Sequence, residues 1–366
     1  MNKPRLVFVG GFLGAGKTTL LRQAAGQLAA QGARVGLVTN DQAANLVDTN
    51  LLSRQASVRE VAGSCFCCNF PGLVSALESL EQAARPDVIL AEPVGSCTDL
   101  SATILQPIKD KFRQKFDLAP LSVLVDPKRL HEALSGIPGM LHASAAYILR
   151  KQLEEADLIL LNKCDLLTPD ALRELHALLA QHFPQTPVRD ISAVTNDGVD
   201  EWLSAMLQGG APGGKVVDVD YDIYAEGEAV LGWLNATAEL ACPVGLPNWR
   251  GFCERLLSGL QKQFQGISKE IGHIKTLLAA GEESCTANLT RLEGAVVVRG
   301  DVAPAERRAE LILNARVEVP PQDLEQAVRA VLRATAEGYG MTATITNLRS
   351  LSPGRPQPTH RYTSVV

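Results

Sequence analysis

The chain has no apolar run long enough to cross a bilayer: runs such as Leu158–Leu161 and Ala295–Val298 fall far short of the ~18 residues a spanning helix needs. It also lacks an excess of charge of either sign. Thirty-five Lys+Arg stand against 40 Asp+Glu, a formal net of −5, so no basic field exists to hold nucleic-acid phosphates. Histidine is scarce, six in 366 residues with no histidine-rich stretch, which argues against metal buffering by such a tract. The basic residues Lys3 and Arg5 lead into an apolar segment broken at once by Gly10, Gly11, Gly14 and Gly16, with no secretory cleavage site. Internal repeats and low-complexity tracts are absent. These absences predict a cytoplasmic chain with no membrane and no nucleic-acid partner. What is present, 46% hydrophobic and 20% charged residues, excludes bulk disorder, and the length suits two domains.

Short unalternated apolar bursts recur at Leu6–Val9, Val35–Val38, Val88–Leu90, Leu121–Val125 and Leu158–Leu161. Such bursts are strands covered on both faces, and the helix-compatible stretches between most of them predict an α/β domain with a mostly parallel sheet. Gly209-Gly210-Ala211-Pro212-Gly213-Gly214 is the strongest linker signal, so residues 1–208 are read as one domain, 209–214 as the linker and 215–366 as a second. In the second, alternation at Val217–Tyr221 and Leu311–Val317, a β-branched run at Ala295–Val298, and helical spacing at Trp249–Phe264 and Leu324–Ala336 predict a smaller α+β domain with an antiparallel sheet. His273 and Lys275 fit the wet face of a strand, whereas Tyr221, Tyr224 and Trp233 fit its core. Pro353–Pro358 reads as irregular surface.

Gly11-Phe12-Leu13-Gly14-Ala15-Gly16-Lys17-Thr18 satisfies G-x-x-x-x-G-K-[ST] between a first strand and the helix Thr18–Ala30. The chemistry needs glycines at Gly11, Gly14 and Gly16 so that backbone N–H groups, with those of Ala15 and Thr19, close around phosphate oxygens. Lys17 reaches the β and γ phosphates and the Thr18 hydroxyl serves Mg²⁺, while the helix adds its positive N-terminal end. Leu158–Leu161 runs directly into Asn162-Lys163-Cys164-Asp165, at the strand end where open α/β sheets bind ligands. A carboxylate at Asp165 can accept both the ring N–H and the 2-amino group of guanine, neither of which adenine offers, so GTP/GDP is expected rather than ATP. Ile191-Ser192-Ala193 follows a further strand and places Ser192 and Ala193 where backbone could meet the guanine oxygen. A small-molecule kinase is disfavoured, since it rarely needs guanine selectivity.

Three of the eight cysteines, Cys65, Cys67 and Cys68, crowd into four positions. Thiolates so close need little loop closure to converge on one soft ion; Zn²⁺, Co²⁺ or Cu(I) would suit, with an open or exogenous fourth position. Cys97, Cys164, Cys242, Cys253 and Cys285 are read as packed core thiols.

Over roughly Arg5–Trp202 the sequence resembles the CobW/HypB/UreG family of P-loop GTPases, most of all its CobW-type metallochaperone branch. The matching pieces, in the family's order, are the phosphate loop, Thr39-Asn40-Asp41, Cys65-Phe66-Cys67-Cys68, Glu92-Pro93-Val94-Gly95, Asp126, Gln152–Asp157 and Asn162–Asp165. The resemblance implies GTP hydrolysis coupled to delivery of a metal ion or metallocofactor, zinc, cobalt or cobalamin-related, to a client metalloenzyme or corrinoid protein. It places Asp41 and Glu92 around Mg²⁺ and the attacking water, Gly95 in a segment sensing the γ-phosphate, and a GTP-dependent homodimer across the nucleotide face. The alternative is a GTP-switched protein that gates assembly or reactivation of a partner, such as a corrinoid-dependent enzyme, without metal cargo of its own.

Overall fold

The computed structural model describes residues 3–41, 47, 56–135 and 142–366. Two compact units emerge, one from 1–42, 48–227 and 355–366, the other from 43–47 and 228–354. The Gly/Pro segment 209–214 lies within the first unit, where Asp157 accepts hydrogen bonds from the N–H groups of Gly213 and Gly214 at 2.6 and 2.8 Å.

In the first unit the apolar bursts are strands: β1 (Arg5–Gly11), β2 (Val35–Asp41), β3 (Ser57–Ala62), β4 (Val88–Glu92), β5 (Asp117–Leu118), β6 (Ser122–Val125), β7 (Leu158–Leu161) and β8 (Val188–Asp190). They pair in the order β3-β2-β4-β1-β6-β7-β8, with β5 on β1, and every pairing is parallel. Parallel strands need crossovers, supplied here by α1 (Lys17–Ala30), α2 (Phe70–Ala84), α3 (Gln106–Phe112), α4 (Pro127–Leu134), α5 (Ala143–Glu155) and α6 (Pro169–His182), while α7 (Val199–Leu207) follows the last strand. Burial explains the lack of alternation: every residue of β1, β4 and β7 is buried. Leu20, Leu21, Ala24 and Leu28 of α1 share a core with Val7, Val9, Leu90, Leu124, Leu160 and Trp202.

The second unit is an antiparallel sheet ordered β12-β11-β10-β13-β9-β14, from β9 (Gly232–Ala241), β10 (Ile271–Ala280), β11 (Glu283–Leu289), β12 (Val297–Asp301), β13 (Arg308–Val317) and β14 (Thr342–Leu351). Its two long helices, Trp249–Gln265 and Pro321–Gly338, share one apolar core with the sheet, built from Phe252, Leu256, Leu260, Leu324 and Val328 against Leu234, Leu278 and Leu313.

Two local expectations fail. Val217–Tyr221 is not a strand; residues 217–220 are irregular and Tyr221–Ala229 is a helix, α8. The Asp220 carboxylate accepts from the N–H groups of Asp222 and Ile223 at 2.9 and 3.2 Å, a helix-starting arrangement that outweighs a weak alternation. His273 is only 8% exposed rather than wet, and it pairs in register with Arg316, which is itself buried.

Candidate functional site

The loops that follow β1, β3, β4, β7 and β8 all leave the same end of the parallel sheet, where the pattern of an open α/β fold places a ligand. The phosphate loop spans β1 to α1. No side chain caps α1 and its first turn holds no acidic residue, which suits an N-terminus that meets an anion. Lys17 is buried, and its ammonium donates to the carbonyls of Gly11 at 2.8 Å and Phe12 at 3.4 Å. Thr19 follows in the first turn. Gly16 has φ +104°, and a Cβ there would lie 2.4 Å from Asn162 Nδ2, so both backbone and space require glycine.

Asn162 joins three segments. Buried at the end of β7, it donates through Nδ2 to the Ala15 carbonyl at 2.7 Å and accepts through Oδ1 from the Ala193 N–H at 2.9 Å. Lys163, in the left-handed region at φ 65°, sends Nζ to the Gly14 carbonyl at 2.9 Å and to Asp126 Oδ2 at 2.6 Å. Asp126 in turn caps α4, its Oδ1 accepting from the N–H groups of Lys128 and Arg129. The structure thus brings the phosphate loop, Asn162, Lys163 and Ala193 into one hydrogen-bonded assembly. Ser192 is buried beside Ala193, and its Oγ accepts from the Thr195 N–H at 3.1 Å. Asp165 stands exposed on the short helical turn Cys164–Leu166.

Glu92 ends β4, is largely buried, and accepts the Thr18 hydroxyl at 3.0 and 3.1 Å. A hydroxyl and a carboxylate held together at a phosphate loop are hard oxygen donors that fit Mg²⁺. Asp41 closes β2, paired with Ala62 of β3; its side chain lies outside the described residues. Three residues past Glu92, Gly95 abuts the phosphate loop: a Cβ there would sit 2.7 Å from Leu13 Cδ2 and 3.0 Å from Lys17 Nζ. The Gln152 amide, on α5, donates to the carbonyls of Gly95 at 3.0 Å and Cys97 at 2.7 Å.

Cys65, Cys67 and Cys68 lie in the turn between β3 and α2, with their Sγ atoms all within 4.8 Å of one another. Cys65 Sγ is 2.9 Å from Cys67 Sγ, which is 3.8 Å from Cys68 Sγ. Asn40 at the tip of β2 holds this turn, accepting from the Phe66 N–H at 2.7 Å and donating to the carbonyls of Val61 and Ser64, both at 2.8 Å. Asn69 caps α2 and donates its N–H to the Cys65 carbonyl at 2.9 Å. Hydrogen bonding to Cys65, Cys68 and Cys97, with burial, pushes the Cys67 thiol well above its usual range. The Cys65 bond and burial push Cys68 up to about 11.

Sequence reasoning missed the company these thiols keep. The irregular segment after Gly354 belongs to the first unit and runs along the cysteine turn. The Thr359 N–H donates to the Cys67 carbonyl at 2.9 Å, Thr359 Oγ1 to the Cys68 carbonyl at 3.0 Å, and the Gln357 N–H to Cys68 Sγ at 3.2 Å. His360 meets the Phe70 ring edge-on at 5.2 Å. Arg361 pairs with the buried Asp99 at 2.7 Å, which also accepts from Tyr221 Oη at 2.8 Å. Beside it, Glu155 is buried, accepts from Thr98 Oγ1 and the Ser101 N–H, and has its pKa raised by burial to about 8. Nothing in a proline-rich stretch 289 residues downstream of Cys68 announces such a contact. Cys97, read as core packing, is 1% exposed.

A strand, glycine loop and helix at the ligand end of a parallel sheet, with Asn162 locking the loop to Ala193, define a P-loop nucleotide-binding domain. The sequence profile of the CobW/HypB/UreG nucleotide-binding domain matches residues 5–189, and the chain belongs to that family. It is similar to the zinc chaperone CobW of Pseudomonas aeruginosa, 28% identical over 213 residues, 50% of this chain and 55% of the relative. It is also similar to the zinc chaperone YjiA of Escherichia coli, 26% identical over 199 residues, 52% of this chain and 58% of the relative. The chain therefore spans about half the length of the curated relatives it matches. Among solved structures, Zn(II)-bound YjiA GTPase from E. coli aligns over 90% of this chain and 99% of its own at 18% identity and TM-score 0.41. HypB from Helicobacter pylori in complex with nickel aligns over 56% and 85% at 16% identity and TM-score 0.41.

Proposed function

We propose that the protein binds GTP, hydrolyses it, and uses the cycle to load and deliver a metal ion, zinc foremost, to a client metalloprotein. The observation that carries this reading is the clustering of three thiols within 4.8 Å in a turn anchored by Asn40 to the strand that ends at Asp41. That the relatives above bear the name zinc chaperone supports zinc over cobalt.

In this reading the phosphate-loop N–H groups and Lys17 bind the phosphates, and Asp165 selects guanine against a backbone wall at Ser192 and Ala193. Thr18, with Glu92 and Asp41 about it, would hold Mg²⁺, which would supply charge neutralisation at the transferring phosphoryl group. Glu92, at the strand end and partly desolvated, orients and accepts a proton from the attacking water. Gly95 reports the γ-phosphate because its segment touches Lys17 and is clamped by Gln152. Zinc is the substrate, entering a soft-donor site whose thiols release their protons to solvent as it binds.

The test is paired. The reduced, metal-free chain binds one Zn²⁺, lost in Cys67→Ser, and turns over GTP at a rate that Glu92→Gln lowers by ~100-fold or more, the scale of a missing general base. GTP turnover without stoichiometric zinc would favour the partner-gating alternative; neither activity would end the reading.

A further inference from the structure

The thiol turn is crossed by a stretch of chain from the far end of the sequence. Residues 352–366 form no helix or strand, yet Pro353, Pro356 and Pro358 fix φ at three positions, so the stretch is stiff without being regular. It is pinned on both sides of the crossing. Arg355 pairs with Asp222 of α8 at 2.8 Å, while the Tyr362 N–H donates to the Ala102 carbonyl at 3.0 Å and its hydroxyl to Asp110 at 2.6 Å. Between these points Thr359 holds the Cys67 and Cys68 carbonyls, and the Gln357 N–H points at Cys68 Sγ from 3.2 Å. Cys65 and Cys67 are buried, whereas Cys68 is only half-buried. The stretch therefore stands at the one thiol of the three that solvent reaches.

One further bond leads from this stretch towards the phosphate loop. Arg361 Nε meets the buried Asp99 at 2.7 Å, two residues from Thr359. Asp99 lies four residues past Gly95, whose backbone abuts Lys17. The chain between them is held by Gln152 at the Gly95 and Cys97 carbonyls and by Tyr224 Oη, which accepts from the Thr98 N–H at 3.3 Å.

We propose that residues 355–362 are a retaining strap for the thiol site, latched by the Arg361–Asp99 pair to the segment that carries Gly95, so that nucleotide state sets zinc retention through the strap. This rests on reading the three-thiol turn as the cargo site. Gln357 is a positioning residue: its N–H offers a fixed donor to a sulfur that is negatively charged once it holds a dication. The Thr359 bonds fix the peptide units of Cys67 and Cys68, and with them the directions of both side chains. Movement of Asp99 with its segment pulls on Arg361 and so on these bonds.

The experiment measures Zn²⁺ affinity of the reduced, metal-free full chain against a competing chelator, with GDP and with a non-hydrolysable GTP analogue. Iodoacetamide labelling of Cys68 in the same metal-free samples, read by peptide mass spectrometry, is the second readout. Gln357→Pro deletes the N–H where prolines already flank it, and Gln357→Ala keeps the N–H as the control. Expected is ~10-fold weaker zinc binding in the proline variant with either nucleotide, the scale of one hydrogen bond to a charged acceptor, and the parent's affinity in the alanine variant. Asp99→Asn removes the ion pair, while the amide tolerates the left-handed backbone at φ 64° and still accepts from Tyr221 Oη. It should bind zinc with affinities within ~2-fold of each other for the two nucleotides and label Cys68 faster than the parent. Arg361→Ala breaks the same pair from the other side and carries the comparison should Asp99→Asn fail to fold. The parent's affinity in Gln357→Pro, or the parent's nucleotide dependence retained in Asp99→Asn, overturns the strap and leaves the cargo reading standing. A parent that binds zinc equally with both nucleotides overturns the latch, and one that binds no zinc overturns the cargo reading and the strap together.

Discussion

Asn162→Ala is expected to cost both stability and nucleotide binding, because this side chain ties the phosphate loop to the segment after β8. It is 2% exposed and makes hydrogen bonds at 2.7 Å to the Ala15 carbonyl and 2.9 Å from the Ala193 N–H. Two such bonds contribute about 1 kcal/mol each, and stranding a buried partner adds about 1–3 kcal/mol, relieved in part if water enters the space. The expected loss is ~2–4 kcal/mol, which at a urea slope of about 2–3 kcal/mol/M lowers the midpoint by roughly 1 M. Trp202 is the tryptophan of the first unit and is fully buried, so its fluorescence in a Trp233→Phe, Trp249→Phe background reports that unit. GTP affinity measured by calorimetry should fall in parallel, since the loop is no longer preorganised. A midpoint within ~0.2 M of the parent, with GTP affinity unchanged, would refute the view that Asn162 holds the site together.

Asp165→Asn should reduce GTP affinity at least ~10-fold while improving xanthosine triphosphate, since an amide can donate to the 2-oxo group that replaces the 2-amino group; calorimetry with both nucleotides checks it. Glu155 has a folded pKa raised by burial to about 8 from an ordinary 4.5, facing Asp99, whose own pKa burial also raises despite Tyr221 and Arg361. The folded state therefore holds a proton that the unfolded chain has released, and stability falls as pH rises from about 4.5 to about 8. Glu155→Gln should flatten that decline in urea midpoints across the same range, and an unchanged slope would count against it. Arg361→Ala leaves the Asp99 carboxyl buried without its cation, an expected loss of ~2 kcal/mol or more by chemical denaturation, together with easier alkylation of Cys68 as the segment loosens.

How much of this could be read from residues alone depends on how local the cause is. The strands of the parallel sheet announce themselves because burial on both faces demands continuous apolar runs, and the phosphate loop because glycine geometry and Lys17 are fixed within eight positions. Asn162 and Asp165 are legible by their place at a strand end. β3, with Ser57, Arg59 and Glu60 partly exposed on an edge, carries no such run. The start of α8 depends on one Asp220 carboxylate choosing a cap over an alternating strand. Contact between residues 357–361 and the thiol turn is set by tertiary packing, which no local pattern encodes.

The central claim, that nucleotide state governs a thiol metal site, is tested most directly by Zn²⁺ affinity of the reduced, metal-free chain with GDP and with a non-hydrolysable GTP analogue, using a competing chelator. The account predicts one Zn²⁺ per chain, an affinity differing at least ~5-fold between the two nucleotides, and, by linkage, the same factor in the effect of zinc on the nucleotides' relative affinities. Equal zinc affinity in both states, or binding that survives Cys67→Ser, would contradict it.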